Sequence, residues 1–213
     1  MMFRDRRDAG QQLAARLASL KDQSDLIVLG IPRGGVVVAA EIACALNAPL
    51  DIYLAHKIGA PFNPELAIGA VTGSEVVFDD ELIDQLRASP DELALEVDAQ
   101  RGEISRRLGM FRPGIGPLDV AGKQVVLADD GVATGLTVLV SLRALRKKSP
   151  RQLILAIPVG PAETLARLAR ECDQVIVLDT PDPFWAVGRF YASFEQTSDQ
   201  QVLALLSAAA QRR

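Results

Sequence analysis

Little in this chain points to disulfide, metal or membrane chemistry. Its two cysteines, Cys44 and Cys172, are far apart, and neither sits in a zinc-type spacing. They read as buried or half-buried thiols of a reducing compartment. Histidine occurs once, as His56. A lone histidine at a strand end is more often structural than catalytic, so it is not a candidate here. No apolar run approaches the length of about 20 residues that a membrane helix needs. The opening MMFRDRRDAG is charged and has no apolar core behind it, so it does not read as a signal peptide. A basic excess is also missing, with 23 Lys+Arg against 27 Asp+Glu. That argues against a protein that coats nucleic acid, while leaving room for a small anion held by a few local cations. The expectation is a cytoplasmic protein with no nucleic-acid and no membrane partner.

What is present is ordinary globular composition. The 213 residues are 49% hydrophobic and 23% charged, enough for one sizeable core. Apolar runs alternate with helical periodicity. Leu13, Leu17 and Leu20 share a helical face across residues 8 to 20, and LIVLG at 26 to 30 is a buried strand ending in glycine. Val38, Ile42 and Ala45 mark a helix over 36 to 46, and DIYLAHKI at 51 to 58 reads as one strand. Residues 60 to 120 are less regular. Within them Asn63, Pro64 and Glu65 read as a turn. Ser89, Pro90 and Glu92 signal a helix start with a capping box, and Val97, Ile104 and Leu108 mark that helix's apolar side. Pro113, Gly114 and Gly116 read as the loop after it. Beyond it, QVVLA, QLILAIPV and QVIVLD are strands separated by helices. A last helix opens at Ser198, with Gln201 three residues on, and buries Val202, Leu205, Leu206 and Ala209.

Continuously apolar strands separated by helices imply βαβ crossovers and a parallel sheet covered on both faces. Ligands then bind outside the carboxyl ends of the strands. That rule selects Pro32 to Gly35, His56 to Gly59, Asp129 to Thr137 and the segment after Asp179. The most informative of these is VVLADDGVATGLTV, residues 125 to 138. A strand ends in Asp129 and Asp130, and a loop of small residues runs into a helix. Free N–H groups and the helix dipole make that end a phosphate cradle, with the hydroxyls of Thr134 and Thr137 as added donors. Carboxylates beside it suit vicinal sugar hydroxyls. Two acids alone would be an ordinary acidic turn. The whole string reads as a ribose 5-phosphate site.

The string resembles the phosphoribosyl diphosphate (PRPP) signature of type I phosphoribosyltransferases. It is not a Walker loop, because no Gly-Lys-Ser/Thr follows. The blocks DRRDAG, PRGG, NPELAIGA and DDGVATG together resemble a subgroup of short phosphoribosyltransferases of undefined substrate. The resemblance implies a three-layer α/β/α fold with a mostly parallel central sheet and a small hood and flexible-loop region. It implies one domain over 1–213, with a helical insertion at about 73–118 and a hood at about 180–213. Asp129 and Asp130 take the ribose hydroxyls and, indirectly, a metal. Gly131, Val132, Ala133, Thr134, Gly135 and Thr137 take the 5-phosphate. Arg33, Gly34, Gly35 and Lys57 take pyrophosphate, with the Pro32–Arg33 bond as a candidate cis peptide. Phe184 and Trp185 are candidates to stack on a base. Ala133 stands where hypoxanthine–guanine-type enzymes carry an aspartate, and Ser193 where relatives often carry an acid. Mg²⁺ is the implied cofactor, PRPP and a nitrogen acceptor the substrates, and a homodimer the assembly.

Arg101, Arg106, Arg107 and Arg112 read as a solvated basic face, with a hood over pyrophosphate as the sharper option. Three other functions fit some features. A PRPP-sensing regulator keeps the site without turnover. A hydrolase on the same sheet uses water as acceptor. A phospho-receiver domain matches VVLADD and Asp179, but the stretch after Asp179 is too short for two further βα units, and Thr-Gly-x-Thr goes unexplained.

Overall fold

A computed structural model describes residues 2–60, 62–86, 88–114 and 118–212, with only the backbone at Pro64 and Glu65. Gly116 of the expected loop lies outside the described residues. In chain order the elements are α1 (Arg6–Arg16), β1 (Leu26–Gly30), α2 (Gly34–Leu46), β2 (Leu50–Ile52), β3 (His56–Ala60), β4 (Asn63–Val71) and β5 (Val76–Phe78). Then come α3 (Asp80–Leu86), α4 (Pro90–Phe111), β6 (Gln124–Ala128), α5 (Leu136–Arg146), β7 (Gln152–Val159), α6 (Ala162–Leu168), β8 (Gln174–Asp179) and α7 (Asp199–Ala210).

The central sheet has five strands in the order β2-β1-β6-β7-β8, and all its pairings are parallel. Side chains alternate across it, as the period of two requires. Val125, Leu127, Leu153, Leu155 and Ile157 face a core shared with α5 and α6. Val126, Ala128, Ile154 and Ala156 face the opposite core, built on α1 and α2. The result is the expected α/β architecture, with helices covering both faces of a parallel sheet.

The first departure is the stretch 51 to 58, which is not one strand. β2 is a three-residue edge strand, and Tyr53 N–H still bonds Gly30 C=O at 3.0 Å. The chain then leaves the sheet and re-forms at His56 as part of an antiparallel sheet, β3-β4-β5. This sheet packs against α4 and α5. It starts well before residue 73, ahead of the helical insertion expected from there. The turn expected at Asn63–Glu65 is the start of β4 instead, with Asn63 paired to Ala60 of β3. β5 pairs only with residues 69 to 71, so Pro64 lies where β4 has one neighbour, a position in which proline is tolerated.

The capping boxes at Ser89/Glu92 and Ser198/Gln201 are both formed. On α7, Val202 and Ala209 are buried, while Leu205 and Leu206 are only half-buried against the third core. The α4 arginines divide. Arg106 is exposed and Arg101 half-buried, but Arg107 pairs with Asp199 at 2.6 Å and Arg112 with Asp51 at 3.0 Å, both largely withdrawn from water. A wholly solvated basic face is therefore incorrect. Half of it is stitched to α7 and β2. Cys172 is half-buried as expected, whereas Cys44 is exposed, since its position on α2 turns away from the sheet.

Candidate active site

Strands β1 and β6 are neighbours, so their carboxyl ends bring two loops together. Ile31 N–H bonds Ala128 C=O at 3.0 Å, which fastens the first loop to the end of β6. The Pro32–Arg33 peptide is cis, where it was expected. Gly34 and Gly35 then open α2 directly beneath the acid pair. A Cβ on Gly34 would collide with the Asp130 carboxylate, and one on Gly35 would lie 2.7 Å from Asp129 Oδ1. These glycines are thus required by the packing of the acids, a reason beyond the backbone donors they expose.

Asp129 Oδ1 accepts the Asp130 N–H at 2.9 Å. Asp130 Oδ2 accepts from Arg6 Nε at 2.7 Å. Arg6 in turn donates to Glu195 C=O at 2.6 Å and lies 3.8 Å over the Phe194 ring. Tyr191 donates its hydroxyl to Asp130 C=O at 2.6 Å and stacks on Phe194. Burial, and then the neighbouring Asp130 charge, push Asp129 well above the usual aspartate range. Asp130 is also raised by burial, against the pull of Arg6. Burial raises the Tyr191 phenol too, so it stays a donor. The pair holds its negative charge at a cost that a cation or a hydroxyl-bearing ligand would relieve.

The loop after the acids is fixed by contacts on its outer side. Val132 is buried, and its N–H bonds Val159 C=O at 3.0 Å. Gly135 has φ +72° and caps α5 in the left-handed conformation, which glycine adopts at least cost. The N–H groups of Ala133 through Thr137 have no acceptor among the described residues. They form the open donor array that an anion at a helix start needs.

The acid pair, the Pro32–Gly34 turn and Thr137 border one cavity of about 720 Å³. Arg33, Gly34, Lys57, Asp129, Asp130 and Thr137 line it, together with Arg6. Gly35 and residues Gly131 to Gly135 do not border it, and the exposed Thr134 borders a neighbouring surface hollow with Thr164 and Arg167 of α6. Phe184 and Trp185 do not border it. Phe184 stacks on Phe190 with ring centroids 5.3 Å apart, and Trp185 is exposed. The phenyl ring that does border the cavity is Phe194, which lies over Arg6, and Gln196 and Thr197 join it in the lining. The α4 arginines are absent from the lining as well. α4 contributes Glu96 and Gln100, which run from Glu96 Oε1 through Gln100 (2.8 Å) to His56 Nδ1 (3.1 Å). Burial lowers His56, so the ring is neutral at pH 7.

Sequence reasoning did not single out Arg6, Tyr191, Glu96 or Gln100. Arg6 is 124 residues from Asp130, and only its place in the DRRDAG block pointed to it. Among the described residues no group of three metal-ligating side chains occurs. Asp129 and Asp130 each keep one oxygen without a protein partner among the described residues. That donor set fits Mg²⁺ held mostly through water and ligand oxygens, as a hard hydrated ion prefers.

The fold and site define an open α/β domain with an acid pair and a loop of small residues at the switch between β1 and β6. The chain belongs to the phosphoribosyl transferase domain family, whose sequence model matches residues 5–192. A Mycobacterium tuberculosis H37Rv protein, provisionally named a phosphoribosyl transferase, is 42% identical over 209 residues. That match covers 98% of this chain and 47% of the relative, and the CDC 1551 strain counterpart matches equally. The chain thus spans about half the length of the curated relatives it matches. The crystal structure of TT1426 from Thermus thermophilus is 40% identical, with a TM-score of 0.77, covering 97% of this chain and 98% of that one.

Proposed function

We propose that this domain transfers the 5-phosphoribosyl group of PRPP to a nitrogen nucleophile, a nucleobase, and releases pyrophosphate. The observation that supports it most is the meeting, at one cavity, of the half-buried Asp129–Asp130 pair, Thr137 at the end of the loop of N–H groups unpartnered among the described residues, and the cations Arg33 and Lys57. Each part matches a different piece of one ligand. The loop from Gly131 to Thr137 takes the 5-phosphate. Asp129 and Asp130 accept from the ribose hydroxyls and stabilise the positive charge that develops on the ring. Arg33, Lys57 and the glycine loop hold the diphosphate. The acceptor nitrogen forms a bond to the anomeric carbon as the carbon–oxygen bond to pyrophosphate breaks, and the electron pair leaves with pyrophosphate. Mg²⁺, when bound, supplies charge neutralisation of that leaving group, and Asp129 and Asp130 would hold it indirectly. The acceptor occupies the part bordered by Phe194, Gln196 and Thr197, beneath a hood formed by residues 180–213. Resemblance rather than geometry supports a homodimer, a cytoplasmic location and a place in nucleotide salvage. Within the described residues, no helix is long and apolar enough to cross a membrane.

The test has two stages. PRPP with Mg²⁺ should raise the melting temperature of the wild type, and Asp130→Asn should lose that shift. A panel of nucleobases should then give base-dependent pyrophosphate release. An unchanged melting shift in Asp130→Asn would refute the site. PRPP binding without turnover on any base would assign sensing, and PRPP loss without added base would assign hydrolysis.

A further inference from the structure

The loop after the acids is braced by a helix, α6, that does not border the cavity. Thr164 Oγ1, on α6, donates to Ala133 C=O at 2.8 Å. One turn on, Arg167 Nη2 donates to Thr134 C=O. Thr164 Cγ2 also lies 2.6 Å from where a Cβ on Gly135 would stand, so the same side chain abuts the helix cap. The platform beneath is closely packed. Leu165 and Leu168 are buried in the core shared with α5, and Gly160 lets Val132 pack flush before α6 begins.

A peptide group is planar and trans, so its C=O and its N–H point in opposite directions. Fixing Ala133 C=O toward α6 therefore turns the Thr134 N–H away from α6. Fixing Thr134 C=O does the same for the Gly135 N–H. These two N–H groups belong to the array that has no protein acceptor. Without the two side chains, a glycine-containing loop at a helix start has several peptide orientations of similar energy.

Building on the phosphoribosyl reading, we propose that Thr164 and Arg167 are positioning residues for the 5-phosphate subsite, setting the direction of its backbone donors from outside. Neither touches the ligand. They act selectively on the phosphate end of the cavity and leave the diphosphate end, built on Arg33 and Lys57, unaffected. The Arg167 charge adds a modest attraction through the loop.

Isothermal titration of the full chain with ribose 5-phosphate, and separately with Mg²⁺-pyrophosphate, tests this. Thr164→Val removes the hydroxyl and keeps the methyl against Gly135. Arg167→Gln removes the second donor independently, should the first variant fold poorly. Each variant should bind ribose 5-phosphate about 3- to 10-fold more weakly, the effect of losing one such hydrogen bond. Pyrophosphate affinity should stay at the wild-type value, and Thr164→Ser should restore ribose 5-phosphate binding. Unchanged ribose 5-phosphate affinity in both variants overturns the proposal, and so does an equal loss for both ligands. If the wild type binds pyrophosphate but not ribose 5-phosphate, the phosphoribosyl reading itself falls, and the positioning role with it.

Discussion

Asp129 carries the sharpest conflict between stability and chemistry. Its carboxylate is held by one backbone N–H, beside a second acid, with no cation bonded to it among the described residues and only the nearby Arg6 charge to offset it. In the unfolded chain it titrates near 3.8, and in the fold it keeps its proton to higher pH. Across that window the folded state binds more protons than the unfolded one. Stability is therefore fully present below the unfolded value and falls as pH rises through the folded one. Asp129→Asn removes the charge while keeping the shape and the acceptor for Asp130 N–H. Its melting temperature at pH 7 should exceed that of the wild type, and its melting profile between about pH 4 and 7 should be flatter. The same variant should lose the PRPP-dependent shift. A lower melting temperature at pH 7 would show that the carboxylate stabilises the fold. Stabilising a fold by removing a functional charge is the familiar trade between stability and activity.

At the level of elements, capping and alternation were readable because both are local. The two capping boxes rest on residues three apart, and each formed. The second opens α7 immediately after Thr197 at the cavity edge. There Ser198 Oγ accepts from Gln201 N–H at 3.2 Å, and Gln201 Oε1 accepts from Ser198 N–H at 2.8 Å. Ser198→Ala should cost about 1 kcal/mol of stability by denaturant titration, with faster amide exchange confined to the first turn of α7. An unchanged denaturation midpoint would mean that packing of Val202 alone holds the helix start. The β3-β4-β5 sheet was not readable, for a physical reason. β3 and β5 are short, β4 carries Pro64 and Gly69, and the β3–β4 pairing is irregular in register, so no alternation builds up over a window. The split of the α4 arginines was hidden for another reason. Helical spacing shows which residues share a face. It does not show that Asp199 and Asp51 approach that face from distant elements.

Across the whole molecule, the division follows sequence distance. The acids, the loop glycines and Thr137 lie within nine residues, so they could be singled out together as a string. Their supports come from everywhere else: Arg6 from the first helix, Thr164 and Arg167 from α6, Tyr191 and Phe194 from beyond β8. The two outer segments are joined by backbone pairing. Phe3 N–H bonds Phe190 C=O at 2.8 Å, Ala192 N–H bonds Phe3 C=O at 2.8 Å, and Ser193 N–H bonds Arg4 C=O at 2.9 Å. Phe3 is fully buried, with its ring 5.3 Å from that of Tyr191. This junction seats both groups that hold Asp130, one on each side. Phe3→Leu should therefore loosen Arg6 and Tyr191 together and weaken PRPP binding more than its stability cost explains. Leu13→Val, a truncation in the α1–α2 core far from the acids, provides the comparison, since each change should cost about 1 kcal/mol. Titration with PRPP and Mg²⁺ at 25 °C, where both variants remain folded, should show reduced affinity only for Phe3→Leu. Equal affinities in the two variants would mean that the junction closes the fold without shaping the site.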